Sequence, residues 1–82
     1  MEKLISVKYD DYVDYNDNNG RVRKRVHNDG GISYFDVNGN YHREDGPATV
    51  WPSGHEWYYY GRKIECKTQE EFDRLVRLKA FW

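Results

Sequence analysis

Ile32-Ser33-Tyr34-Phe35-Asp36-Val37-Asn38-Gly39-Asn40-Tyr41-His42 is the stretch that decides the fold. Bulky and β-branched residues over 32–37 predict a strand. Asn38-Gly39 follows, and both residues tolerate the positive φ that a two-residue hairpin turn requires. Tyr41-His42 then begins a return strand. The chain therefore reads as antiparallel hairpins.

The same grammar extends in both directions. Upstream, Ile5, Val7 and Tyr9 alternate with Ser6 and Lys8 as a first strand, and Asn16–Gly20 is dense turn chemistry. Val22, Lys24 and Val26 alternate with Arg21, Arg23 and Arg25, and Asn28–Gly31 turns again. Downstream, Arg43–Pro47 interrupts the return strand, Ala48–Trp51 resumes it, and Pro52-Ser53-Gly54 turns. Glu56–Tyr60 is an aromatic strand, with a short Arg62–Ile64 after Gly61. The period then changes. Thr68 with Glu71 forms a capping box, and Phe72, Leu75, Val76 and Lys79 share one stripe, with Leu78 and Phe81 beside it. A helix is predicted over 68–80.

Composition bounds the rest. The chain has 82 residues and a net charge of −1, which suits one domain over 1–82 with its sheet over 4–64. Eight Tyr, three Trp and three Phe outnumber Leu, Ile and Val together, so rings build much of the core. Mean hydropathy is −1.10, yet so many rings with only two prolines argue against disorder. No apolar run approaches the roughly 18–20 residues that span a bilayer. Residues 1–8 lack the apolar centre of a secretory signal. The lone Cys66 excludes an internal disulfide and a cysteine zinc cage, and it reads as a small residue before the helix. A reducing, cytoplasmic location with no membrane contact is expected.

One internal repeat is present. Val26–Gly30 aligns with Val50–Gly54, Ser33-Tyr34-Phe35 with Glu56-Trp57-Tyr58, and Asn38-Gly39-Asn40 with Tyr60-Gly61-Arg62. Each unit is a hairpin that must stack on its neighbour. Tyr41-His42-Arg43-Glu44-Asp45-Gly46-Pro47-Ala48, with Trp51–Gly54, Trp57-Tyr58 and Gly61-Arg62-Lys63, resembles one copy of the HREDGPA-type repeat. That repeat is similar to MORN repeats and is common in proteins of bacteriophages and bacteria. The resemblance covers roughly residues 32–75, about one and a half units. Residues 1–25 depart from it, since the first unit lacks Gly-Pro-Ala. It implies a curved hairpin sheet, a short acidic-capped closing helix such as Thr68–Phe72, and an interaction role with no transferable catalytic residue.

Two constellations stand out. His42-Arg43-Glu44-Asp45 holds an imidazole and two carboxylates. Metal binding would want more His or Cys, so we read His42, Arg43, Glu44, Asp45, Gly46 and Pro47 as a structural turn. Arg21, Arg23, Lys24 and Arg25 give residues 21–30 a charge of +3 after an acidic 1–20. On one strand face Arg21, Arg23 and Arg25 would lie about 6.6 Å apart, near the spacing of phosphates in an extended strand. Tyr34, Tyr41, Tyr58 and Tyr60 are candidate stacking rings. The competing arrangement pairs these cations with Asp10, Asp11 or Asp14 across the sheet.

The expectation is an α+β domain: an antiparallel, MORN-like hairpin sheet with one C-terminal helix packed against it. Its function is expected to be non-catalytic, without metal or cofactor. By resemblance it looks phage-encoded, acting in the host cytoplasm by occluding a host protein such as a defence factor or toxin. The alternative is RNA or single-stranded nucleic-acid binding through the basic strand. An edge strand makes a homodimer a further expectation.

Overall fold

The computed structural model describes residues 3–78. Seven strands follow in chain order: β1 Ile5–Lys8, β2 Tyr12–Asn16, β3 Val22–His27, β4 Ile32–Tyr34, β5 Thr49–Trp51, β6 Gly54–Tyr59 and β7 Arg62–Ile64. They form one open antiparallel sheet in sequential order, closed by helix α1, Gln69–Leu78. The fold is α+β, a hairpin sheet with a C-terminal helix, as the sequence implies.

Four local expectations need correction. β2 was not anticipated, because Asp14 stands in the middle of Tyr12-Val13-Asp14-Tyr15; an acid there is stable only with a partner from elsewhere. The strand expected over 32–37 ends at Tyr34, and Phe35 and Tyr41 make an isolated bridge. The cause is Asp36, whose Oδ1 accepts the N–H groups of Asn38 (2.8 Å) and Asn40 (3.0 Å) and so starts the turn early. The return strand at Tyr41-His42 is reduced to that bridge. The helix lies inside the expected 68–80, and Lys79, Ala80, Phe81 and Trp82 lie outside the described residues. Leu78, expected beside the buried stripe, is exposed.

Cross-strand partners share a face. Register therefore sorts the side chains without ambiguity. Lys8–Val13–Val26–Ile32–Val50–His55 is one continuous row across six strands. Tyr15, Lys24 and Tyr34 form a second row on that face, and Trp57 and Ile64 pair at its far end. The opposite face carries Val7, Asp14, Arg25, Ser33, Thr49 and Glu56 in one row.

The helix covers only the β6–β7 end of the first face. Trp57, Ile64 and Phe72 are the buried centre there, with Tyr59, Cys66, Leu75 and Val76 packed around them. Thr68 Oγ1 accepts the Glu71 N–H (3.1 Å), while Glu71 reaches back one residue further than a capping box requires, to the Lys67 N–H (2.8 Å). Gln69 fixes the first turn: it accepts from Trp57 Nε1 (3.0 Å) and donates to the Glu44 carbonyl (2.8 Å). One side chain thus ties helix, sheet and the 42–47 loop together.

Candidate functional site

The basic strand is built differently from a row of arginines. β3 begins at Val22, so Arg21 lies before it. Between Tyr15–Lys24 and Asn16–Val22 the register slips by one residue, leaving Arg23 as the extra residue of a bulge. Perfect alternation in sequence is therefore lost in space. The expected row of Arg21, Arg23 and Arg25 does not form.

The strand's cations have partners inside the sheet. Arg25 is bidentate on Asp14, at 2.7 and 3.0 Å, and its guanidinium lies 4.3 Å from the Tyr12 ring centre. The Asp14 hydrogen bonds raise the Arg25 pKa above its ordinary value against the desolvation that lowers it. Arg23 donates to the Phe35 carbonyl (3.2 Å) and sits 3.7 Å from Asp17. Lys24 places its ammonium 5.6 Å from Tyr15 and 5.4 Å from Tyr34. Of the expected acids, Asp14 takes the cross-sheet role. Arg21 is exposed and gives its backbone N–H to Asp17 (3.0 Å).

The candidate rings are engaged as well. Tyr34 has Lys24 on one side and the Arg43 guanidinium 4.1 Å from its centre. Tyr41 lies between Phe35 (5.4 Å) and Tyr58 (5.1 Å). Burial, with the Glu56 carboxylate that its hydroxyl touches, pushes the Tyr58 phenol up. Tyr60 stacks on His42 at 4.0 Å and is exposed at the turn. A second ring series, Tyr9–Tyr12–His27–Trp51, runs along the other end of the sheet. His27 and Trp51 are aligned residues of the sequence repeat, and here they are neighbours.

The 42–47 turn has a function for almost every residue. His42 Nδ1 accepts the Tyr60 N–H (2.9 Å), holding a non-glycine residue at φ 48°, and its Nε2 is 3.5 Å from Glu44. Arg43 lies across Gly46, donates to the Pro47 carbonyl (3.2 Å) and pairs with Asp45 (3.0 Å). A side chain at 46 would strike the guanidinium, which is why glycine stands there. Ala48 follows, fully buried. Among the described residues no three His, Cys, Asp or Glu side chains gather in a metal-binding group.

Two turn residues escaped the sequence reading. Asp17 and Asp36 are both buried. Asp17 Oδ1 accepts from the Asn19 and Arg21 N–H groups, as Asp36 Oδ1 does from Asn38 and Asn40. The Arg21 N–H is the largest influence holding the Asp17 carboxyl below its usual range. Burial raises Asp36, but the Asn40 and Asn38 donors outweigh it, so that carboxyl is lowered too. The shared string Asp-x-Asn-Gly was the available signal. Cys66 is half-buried, and burial pushes its thiol up, away from the thiolate a nucleophile needs.

Among the described residues the open seven-stranded hairpin sheet carries a helix layer at its β6–β7 end alone. Compared with known proteins, the chain matches no family model, no curated sequence and no solved structure.

Proposed function

We propose that this protein is a non-catalytic interaction module that binds a protein partner across its sheet. The observation that carries this is the amount of surface left open. The accessible surface is 5860 Å², where a compact monomer of 9.9 kDa exposes about 5200 Å². The radius of gyration is 13.4 Å, against about 12 Å for a compact 82-residue chain. A sheet must bury its apolar face against another layer, while an antiparallel sheet can leave the other face to water. Here one thin end receives that layer, and the remainder supplies area on the scale of one side of a standard interface, about 800 Å².

In the setting implied by the HREDGPA resemblance, the module is phage-encoded, cytoplasmic, and occludes a host factor such as a defence protein or toxin. No helix among the described residues is long and apolar enough to cross a membrane. The nucleic-acid alternative rests on β3, whose Arg23 and Arg25 already serve internal partners, so a protein partner is better supported. Immobilised protein exposed to host lysate tests the reading. A discrete protein retained with or without RNase supports it. Retention abolished by RNase, or no protein retained, overturns it.

A further inference from the structure

We infer that the face carrying Val13, Val26, Ile32 and Val50 docks an acidic, apolar-striped segment of the partner protein; this deepens the interaction-module reading and rests on it. The four residues are adjacent in register on β2, β3, β4 and β5, and each keeps part of its surface exposed. They lie outside the cluster that the helix buries. With strands about 4.8 Å apart the row spans about 14 Å, the length of about ten helical residues.

Charge selects the occupant. The two acids borne by strands, Asp14 and Glu56, both point to the opposite face, where they meet Arg25 and Lys63 at 2.7 and 2.8 Å. The strand-borne charges on the aliphatic face are Lys8, Lys24 and Arg62, all cationic. Beside the aliphatic row, rings and cations alternate as Tyr15, Lys24, Tyr34 and Arg43, of which Arg43 is paired with Asp45 at 3.0 Å. The Lys24 ammonium is thereby held at the margin of an apolar strip, where a carboxylate flanking a hydrophobic stripe would meet it. A second copy docked through this face would set cation against cation. Phosphate backbones would gain nothing from a central row of aliphatics.

The test uses isotope-labelled full-length protein and two synthetic 14-residue amphipathic helices with the same Leu stripe. One helix is flanked by Glu, the other by Lys. The Glu peptide is expected to shift the methyl signals of Val13, Val26, Ile32 and Val50. Lys24→Glu, with Ile32→Thr as a second variant, should weaken that binding about tenfold. No shift on this face, equal shifts from the Lys peptide, or displacement by oligouridylate or phosphatidylserine vesicles would overturn the inference. Lysate capture separates the two proposals. If the folded Lys24→Glu and Ile32→Thr variants capture the wild-type partner undiminished, the docking face is wrong and the module stands. If wild-type protein captures none, the module itself fails.

Discussion

Replacing Gly46 by alanine tests whether the 42–47 turn is built around Arg43. An added Cβ would lie 2.7 Å from Arg43 Cζ and 2.8 Å from Nη1, closer than side chains tolerate, so the guanidinium must leave. Leaving forfeits the Tyr34 ring, about 1 kcal/mol for a half-buried cation over an aromatic face. It also forfeits the hydrogen bond to the Pro47 carbonyl, about 1–1.5 kcal/mol. The Asp45 pair is solvent-exposed on its acidic side and adds close to nothing. Against this loss, Gly46 has no positive φ, so alanine fits the backbone and restricts the unfolded chain, a gain of about 0.4–1 kcal/mol. The net is a destabilisation of about 1–2 kcal/mol, or a Tm lower by roughly 5–12 °C at this chain length. In an Arg43→Ala background the obstacle is gone and only the gain remains, so Gly46→Ala should stabilise. Urea unfolding of the four proteins of this cycle, followed by far-UV circular dichroism, gives the coupling directly, with about 2 kcal/mol expected. Equal effects of Gly46→Ala in both backgrounds would refute the packing of Arg43 on Gly46.

Four further perturbations follow from the same geometry. Asp36→Ala should cost about 1–2 kcal/mol through its two backbone acceptor bonds. Because the folded carboxyls of Asp36 and Asp17 are lowered, their stabilisation is complete above the unfolded value near 4 and lost as pH falls through the lower folded values; the Asp17→Asn/Asp36→Asn double variant should flatten the acid limb of a stability–pH curve, and an unchanged limb counts against these caps. Gly31→Ala places a Cβ inside the Trp51 ring, so Trp51 should swing outward, with greater acrylamide quenching and a cost of about 1–3 kcal/mol; unchanged quenching would contradict the contact. Arg25→Ala should cost about 2–3 kcal/mol by leaving buried Asp14 unpaired, and adding Asp14→Ala should recover part of it, whereas additive losses in the double variant would deny the pair.

Hairpin punctuation made most of the sheet legible from the sequence. Asn19-Gly20, Asp29-Gly30, Asn38-Gly39 and Tyr60-Gly61 each place a glycine with positive φ where a turn is required. What stayed hidden depends on residues far apart. β2 has no local apolar signature because Asp14 breaks its pattern, and its partner Arg25 lies eleven residues away. The bulge at Arg23 is equally invisible, since Arg21, Val22, Arg23, Lys24 and Arg25 alternate without interruption. Register comes from pairing with β2, and no local pattern in β3 records the slip. The buried aspartates were legible in principle, because Asp17 and Asp36 open the same Asp-x-Asn-Gly string.

His42, Arg43 and Gly46 explain a distinctive string by turn construction: the imidazole holds a strained Tyr60, the guanidinium bridges Tyr34 and Pro47, and glycine makes room for it. The arginines of β3 are likewise consumed, by Asp14 and by the Phe35 carbonyl. The most conspicuous sequence features therefore hold the sheet together. Partner selection falls to what that construction leaves over. With both strand acids on one face, the other presents cations around an aliphatic row, and this asymmetry follows from register rather than from net charge. A one-residue slip of β3 along its whole length would exchange Lys24 for Arg25 and carry Val26 out of the aliphatic row. The bulge confines the slip to the start of the strand, so pairing from Tyr15–Lys24 onward keeps Val26 and Lys24 together on the open face.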